Sequence, residues 1–216
     1  TISEESVCRL CSDIVYLHSI GAAFTANAAY EEKAWSNASI KCYQQQLIEL
    51  ADYYIANPTV PPCNIFSPIP EHMLCSPEEE QPCYCSAGSS FEFYDMDGVC
   101  YPCHMLSPMV MEEAHSREVC KKQIDQDGDF RDPACTKCVL RRSCYTCLGS
   151  NELYRGDYRL RDPMHCQLFQ LQVKAQMHLW TGRYQVKTVF TEKEKKRLGA
   201  MPQIWRCFDS GMIGMR

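Results

Sequence analysis

No stretch of the 216 residues approaches the ~18 consecutive apolar residues that a membrane-spanning helix needs. The first residues, TISEESVCRL, also lack the basic segment and apolar run of a secretory signal. A soluble, cytoplasmic chain with no membrane partner is therefore expected. Positive charge is scarce as well. Against 27 acidic residues stand 22 Lys and Arg, a formal net charge of -5, whereas nucleic-acid binding rests on clustered basic surface. The one basic run, EKEKKR from Glu192 to Arg197, is mixed in sign and reads as a solvated helix face. No internal repeat is present. The acidic string DQDGDF from Asp125 is not a calcium loop, because glycine falls at loop position 4 instead of 6 and Thr136 takes the place of the final glutamate. It is expected to be a solvated turn. The Asn37-Ala38-Ser39 sequon would matter only in a secreted protein and is read as chance.

Cysteine, by contrast, is abundant. There are 16, and ten of them lie from Cys83 to Cys166. A chain of this length can bury a real core in one or two domains, so it needs no disulfides to compensate for small size. In a reducing compartment, C-x2-C pairs more often bind metals or do redox chemistry than form disulfides. The densest stretch is CTKCVLRRSCYTC, Cys135 to Cys147, with spacing C-x2-C-x5-C-x2-C.

The opening third alternates helix and strand. From Glu4, the positions Val7, Leu10, Cys11, Ile14, Val15 and Leu17 follow one helical face, and Gly21 supplies a C-terminal stop. AAFTANAA then reads as a short buried strand with its exit loop, and TIS as the end of another strand. A second helix is expected over residues 40–56, capped by Asn37 or Ser39 and ended by Asn57-Pro58. Two helices and a strand or two cannot close a sheet alone. A proline-rich connector follows, with a domain boundary near residue 75. FEFYDMDGVCYPC is a hairpin signal whose Asp97-Gly98 suits a tight primed turn. Asp162-Pro163 starts a long helix that carries Cys166 in its first turn.

A tetrahedral zinc would take four thiolates, which Cys135, Cys138, Cys144 and Cys147 supply locally, but six neighbouring cysteines would then go unexplained. Two cubane iron–sulfur clusters need eight thiolates, and in two-cluster ferredoxins the last cysteine of a tight run crosses to the other cluster. On that rule Cys135, Cys138 and Cys144 hold one cluster and Cys147 reaches the other.

Cys85 is followed after twelve residues by Gly98, then by Cys103 at G-x4-C spacing, then by the Cys135 to Cys147 run, and finally by Cys166. This order resembles the SPASM domain, the auxiliary-cluster module at the C-terminus of radical S-adenosylmethionine peptide and protein maturases. That family's pattern is C, 9 to 15 residues, G-x4-C, then C-x2-C-x5-C-x3-C and a final C. Cys147 arrives one residue early. The resemblance covers residues 83 to 170 and implies two [4Fe–4S] clusters. It assigns Cys135, Cys138, Cys144 and Cys166 to a distal cluster and Cys85, Cys103 and Cys147 to a proximal one. Cys83 is the first choice for the fourth proximal ligand and Cys75 the second. TISEESV, NAAYEEKAW and LIELADYY are similar in character to the closing α/β units of the partial barrel that precedes SPASM domains.

The fold implied is α/β (α+β). Residues 1–75 would be the end of a partial (β/α) barrel, 76–185 a small cysteine-rich SPASM domain with a β-hairpin and helices, and 186–216 a helical tail. The C-x3-C-x2-C motif that binds the catalytic cluster and S-adenosylmethionine occurs nowhere. The chain is therefore expected to be the C-terminal part of a longer enzyme, with no catalytic residue of its own. Its partners would be a peptide or protein substrate and the N-terminal radical S-adenosylmethionine region. A ferredoxin-like electron-transfer protein and a zinc-stabilised interaction module stand as alternatives. Cys8, Cys11 and Cys42 are read as ordinary thiols, Cys100 as core, and Cys120 and Cys207 as bystanders. His104 and His165 are expected to pack or hydrogen-bond beside their cysteines. Arg155, Arg159 and Arg161 could offset cluster charge or form surface ion pairs.

Overall fold

The computed structural model describes residues 1–30, 33–66, 85, 87–88, 91–121, 132, 135, 138–140 and 143–210. DQDGDF, Cys75 and Cys83 lie outside the described residues. The chain divides into two compact units. The first comprises Thr1–Glu78, Lys137–Cys144 and Pro163–Arg216, the second Glu79–Thr136 and Tyr145–Asp162.

In the first unit, a 3-10 turn (Val7–Arg9) leads into α1 (Leu10–Ser19). Gly21 follows at φ 67, a left-handed conformation that glycine adopts without a Cβ clash. The expected strand over residues 22–29 is reduced to one parallel bridge, Ile2 to Ala28. Ile2 N–H donates to Asn27 O at 2.8 Å and Ala29 N–H to Ile2 O at 2.8 Å. Parallel pairing requires a crossover between the paired segments, and α1 lies in that crossover.

Helix α2 (Asn37–Ala56) is capped by Ser36, not by Asn37 or Ser39. Asn37 is already helical, while Ser36 keeps the extended φ/ψ of −64/155 that lets its Oγ accept the Ser39 N–H. Tyr43, Leu47, Leu50, Ala51 and Tyr54 line its buried face. They meet α5 (Pro163–Gln185), which starts with proline in its first turn. Leu47 and Leu50 are fully buried, each stabilising the unit by about 1.5–3 kcal/mol. Several polar groups in this core are matched: Gln172 Nε2 donates to Tyr43 Oη at 2.7 Å, and Arg183 Nη2 donates to Tyr54 O at 2.9 Å and Val60 O at 3.1 Å.

Helix α6 (Glu192–Asp209) opens with a capping box between Thr191 and Glu194. The basic run at its start is not wholly solvated. Arg197 is buried, with its guanidinium 4.0 Å from the centre of the Trp180 ring, where charge and π-face attract. Hydrogen bonds from Lys187 and then from the Thr191 N–H bring the Glu194 carboxyl down from 4.5 to about 2. A depressed folded-state value means the cap contributes fully above the ordinary carboxylate range and is lost as pH falls through about 2. Carbon-detected NMR should place the Glu194 midpoint near 2, with the start of α6 fraying on the way down; a midpoint at 4.5 would show that the capping box is not formed in solution.

The second unit carries an antiparallel hairpin, β1 (Phe93–Tyr94) with β2 (Cys100–Tyr101), in which Phe93 faces Tyr101 and Tyr94 faces Cys100. Its loop is not the two-residue primed turn expected. Gly98 N–H donates to Asp95 O, Asp95 N–H donates to Val99 O, and Gly98 sits at φ 78. This is a three-residue loop closed by a left-handed glycine. Asp95 Oδ1 fixes it by accepting the Asp97 and Val99 N–H groups at 3.0 and 2.8 Å. Cys100 points to solvent, whereas Tyr101 is buried. Cys100, expected in the core, is instead exposed, as is Tyr94 opposite it, because a two-stranded ribbon leaves that pair uncovered. Helices α3 (Glu113–Lys121) and α4 (Leu148–Arg155) complete the unit around Cys103, Leu106, Met111, Val119 and Leu148. Among the described residues the class is α+β, helices with a small two-stranded antiparallel sheet. Among the described residues no helix is long and apolar enough to cross a membrane.

Candidate metal centre in the second unit

Cys103 ends the hairpin's second arm and starts the 3-10 turn His104–Leu106. Cys147 is the N-cap of α4, where its Sγ accepts the Ser150 N–H at 3.4 Å. What brings these elements together is Gly149. A Cβ there would stand 2.2 Å from Met105 Cβ and 3.3 Å from Met105 backbone atoms, so only glycine lets α4 approach the 104–106 turn this closely.

Polar side chains hold α4 in place. Asn151 Nδ2 donates to Tyr158 O at 3.1 Å and to Thr146 Oγ1 at 3.1 Å. Glu152, buried, accepts the Tyr158 N–H at 2.8 Å and lies 2.9 Å from His115 Nε2. Gly156, at φ 72, ends the helix.

The Cys103 thiol is buried, and burial pushes its pKa up. Nearby backbone at Leu106 and Met105 pulls the other way, while Cys147 and Cys85 raise it further; the Leu106 N–H itself donates to Cys103 O at 3.0 Å. The three cysteines assigned to the proximal cluster thus lie in one unit, and Cys147 Sγ receives the Ser150 N–H. Of the distal set, Cys138, Cys144 and Cys166 belong to the first unit and Cys135 to the second. Cys166 lies in the first turn of α5 and accepts Gln170 Nε2 at 3.4 Å.

Among the described residues no three His, Cys, Asp or Glu side chains close to the spacing of a single-ion site. A cubane interposes irons and sulfides between its ligands, so its thiolates stand farther apart than those around one ion. The three proximal thiols share the second unit, and the Ser150 N–H donates to one of their sulfurs, Cys147 Sγ.

His165 packs and hydrogen-bonds, as expected: its Nε2 donates to Ala29 O at 2.9 Å and its ring stacks on Tyr30 at 3.9 Å. His104 is exposed, its ring edge-on to Phe93 at 6.5 Å. Arg155 pairs with Asp162 at 3.0 Å and Arg159 with Asp157, whereas Arg161 is buried and its N–H donates to Asp132 Oδ2. Cys8 is not an ordinary thiol. It is disulfide-bonded to Cys42 across a Cα separation of 5.6 Å, linking the 7–9 turn to α2. Persistence of such a bond depends on the redox poise of its compartment. An open depression of about 320 Å³ in the first unit, lined by Ile55, Trp180, Arg183 and Lys187 among others, contains no cysteine.

No family model, curated protein or solved structure matches the chain. The site therefore stands on its own residues. Sequence reading missed Gly149, Glu152 and Ser150. Only Gly149 left a signal, a glycine in the first turn of a helix where it lowers helix propensity.

Proposed function

We propose that the chain is an auxiliary-cluster module of a radical S-adenosylmethionine peptide or protein maturase, binding two [4Fe–4S] clusters and working in the cytoplasm. The observation that carries this reading is the presence of Cys85, Cys103 and Cys147, far apart in sequence, in one unit, with Cys85 and Cys147 acting on the buried Cys103 thiol and a backbone N–H on Cys147 Sγ. Cys85, Cys103 and Cys147 would hold the proximal cluster with Cys83 as fourth ligand, and Cys135, Cys138, Cys144 and Cys166 the distal one. When bound, such clusters accept and pass single electrons at potentials set by ligands, hydrogen bonds and solvent exposure. The chain's own groups exclude water around Cys103, hold Cys147 at a helix N-terminus, and place the buried Arg161 charge in the same unit. The parallel Ile2–Ala28 bridge around α1 agrees with the end of a parallel barrel as the origin of the first segment. Catalysis would then need the N-terminal region that carries C-x3-C-x2-C, with a peptide or protein as substrate.

Anaerobic preparation tests the reading. Brown protein with about eight iron and eight sulfide per chain is expected. Colourless protein holding one zinc would replace it with a zinc-stabilised interaction module.

A further inference from the structure

The disulfide between Cys8 and Cys42 is not sealed in the core. Cys8 lies exposed in the middle of the Val7–Arg9 turn, and Cys42 is half-buried near the start of α2. Structural disulfides resist reduction by glutathione, whereas exposed ones have more oxidising potentials and are the labile ones. A bond across 34 residues of sequence stabilises mainly by constraining the unfolded chain. Opening it does not by itself unfold the unit, because other contacts also hold α1 to α2. Leu10 and Ile14 are buried, the Cys11 N–H donates to Gln46 Oε1 at 3.0 Å, and His18 Nε2 lies 2.8 Å from Tyr54 Oη.

A third thiol stands nearby. The bond to Gln46 sets Cys11 one turn along α2 from Cys42, yet Cys11 is the unpaired member of the three. Burial, and then the Glu49 carboxylate, pushes its pKa up. A thiol held protonated is a poor attacking group, so Cys11 does not displace either partner.

We propose that Cys8 and Cys42 are a reversible redox modification site, closed by oxidised glutathione and opened by reduced glutathione, that sets how firmly α1 is held on α2. In opening, a glutathione thiolate attacks the exposed Cys8 Sγ, the Cys8–Cys42 bond breaks, and Cys42 leaves as a thiolate. A second glutathione thiolate then attacks the mixed disulfide at the glutathione sulfur, which releases Cys8 and forms oxidised glutathione. The two protein thiolates take up the two protons that the glutathiones gave up, and two electrons have passed to the protein. Closing is the reverse. No metal or cluster takes part.

The test is peptide mapping by mass spectrometry, with amide hydrogen exchange, on the full folded chain in anaerobic glutathione buffers of graded reduced-to-oxidised ratio. The Cys8 and Cys42 peptides should be linked in oxidising buffer and free in reducing buffer, and the change should run in both directions. Amides of α1 should lose protection on opening and regain it on closing. Cys42→Ser should show the low protection in both buffers, and Cys11→Ser should follow wild type. If Cys42→Ser does not fold, wild type read in the two buffers decides alone. A bond that opens only under denaturant, a bond that never forms, a link made by Cys11, or equal α1 protection in both buffers overturns the inference. Iron content enters none of these readings, so the cluster reading fails or stands separately.

Discussion

Cys103→Ala should leave the reconstituted protein with about half of its iron. Among the described cysteines, Cys103 has the strongest claim as a ligand. It is buried, and Cys85 and Cys147 act on its thiol electrostatically. Removing its sulfur takes one anchor from the proximal set and leaves Cys138, Cys144 and Cys166 of the distal set untouched in the other unit. Cluster binding and folding are coupled in small metal-bound domains, so the second unit should also lose protection against proteolysis while the first keeps its own. Full iron in the variant would remove Cys103 from the ligand set. Complete loss of iron would show that both clusters depend on one sulfur and that the division into two sets is wrong.

Gly149→Ala should have nearly as large an effect without touching a ligand. The added methyl meets Met105 Cβ at 2.2 Å and its backbone at 3.3 Å, and backbone cannot rotate away as a side-chain tip does. Overpacking of this kind costs about 1–3 kcal/mol. The strain falls on the joint that sets Cys103 beside Cys147, so proximal iron should fall with stability, and denaturant unfolding of the second unit should shift to lower midpoint. Gly182 offers an internal comparison. A Cβ there meets Ile55 side-chain atoms alone, Cδ1 at 2.4 Å and Cγ1 at 2.9 Å, and no backbone. If Gly149→Ala retains full proximal iron and stability, the close approach of α4 to the 104–106 turn is not what assembles the site.

Features governed by local chemistry were legible in the sequence. The spacing of Tyr43, Leu47, Leu50 and Tyr54 shows the buried face of α2, Pro163 marks the start of α5, and Gly98 marks the hairpin loop. Errors arose where neighbours in space decide. Ser36 takes the α2 cap by backbone conformation, which composition does not reveal. Cys100 is exposed because one face of the hairpin lacks a covering layer. Cys8 and Cys42 meet across 34 residues of sequence. The family resemblance grouped Cys85, Cys103 and Cys147, but the contacts that set Cys103 and Cys147 in one unit, Gly149 against Met105 and a polar latch through Asn151 and Glu152, are visible only in three dimensions.

The first unit is discontinuous, since α2 ends at Ala56 and its packing partner α5 begins only at Pro163. At ribosomal speeds of about 5–20 residues per second, the apolar stripe of α2 would emerge roughly 5–20 s before α5 exists to cover it. During that interval Leu47, Leu50 and Tyr54 form a sticky nascent surface, and the whole cysteine-rich segment is made while it waits. Slow synthesis in this stretch would lengthen the exposure, so the yield of folded chain should depend on translation rate and on chaperones that hold nascent apolar segments.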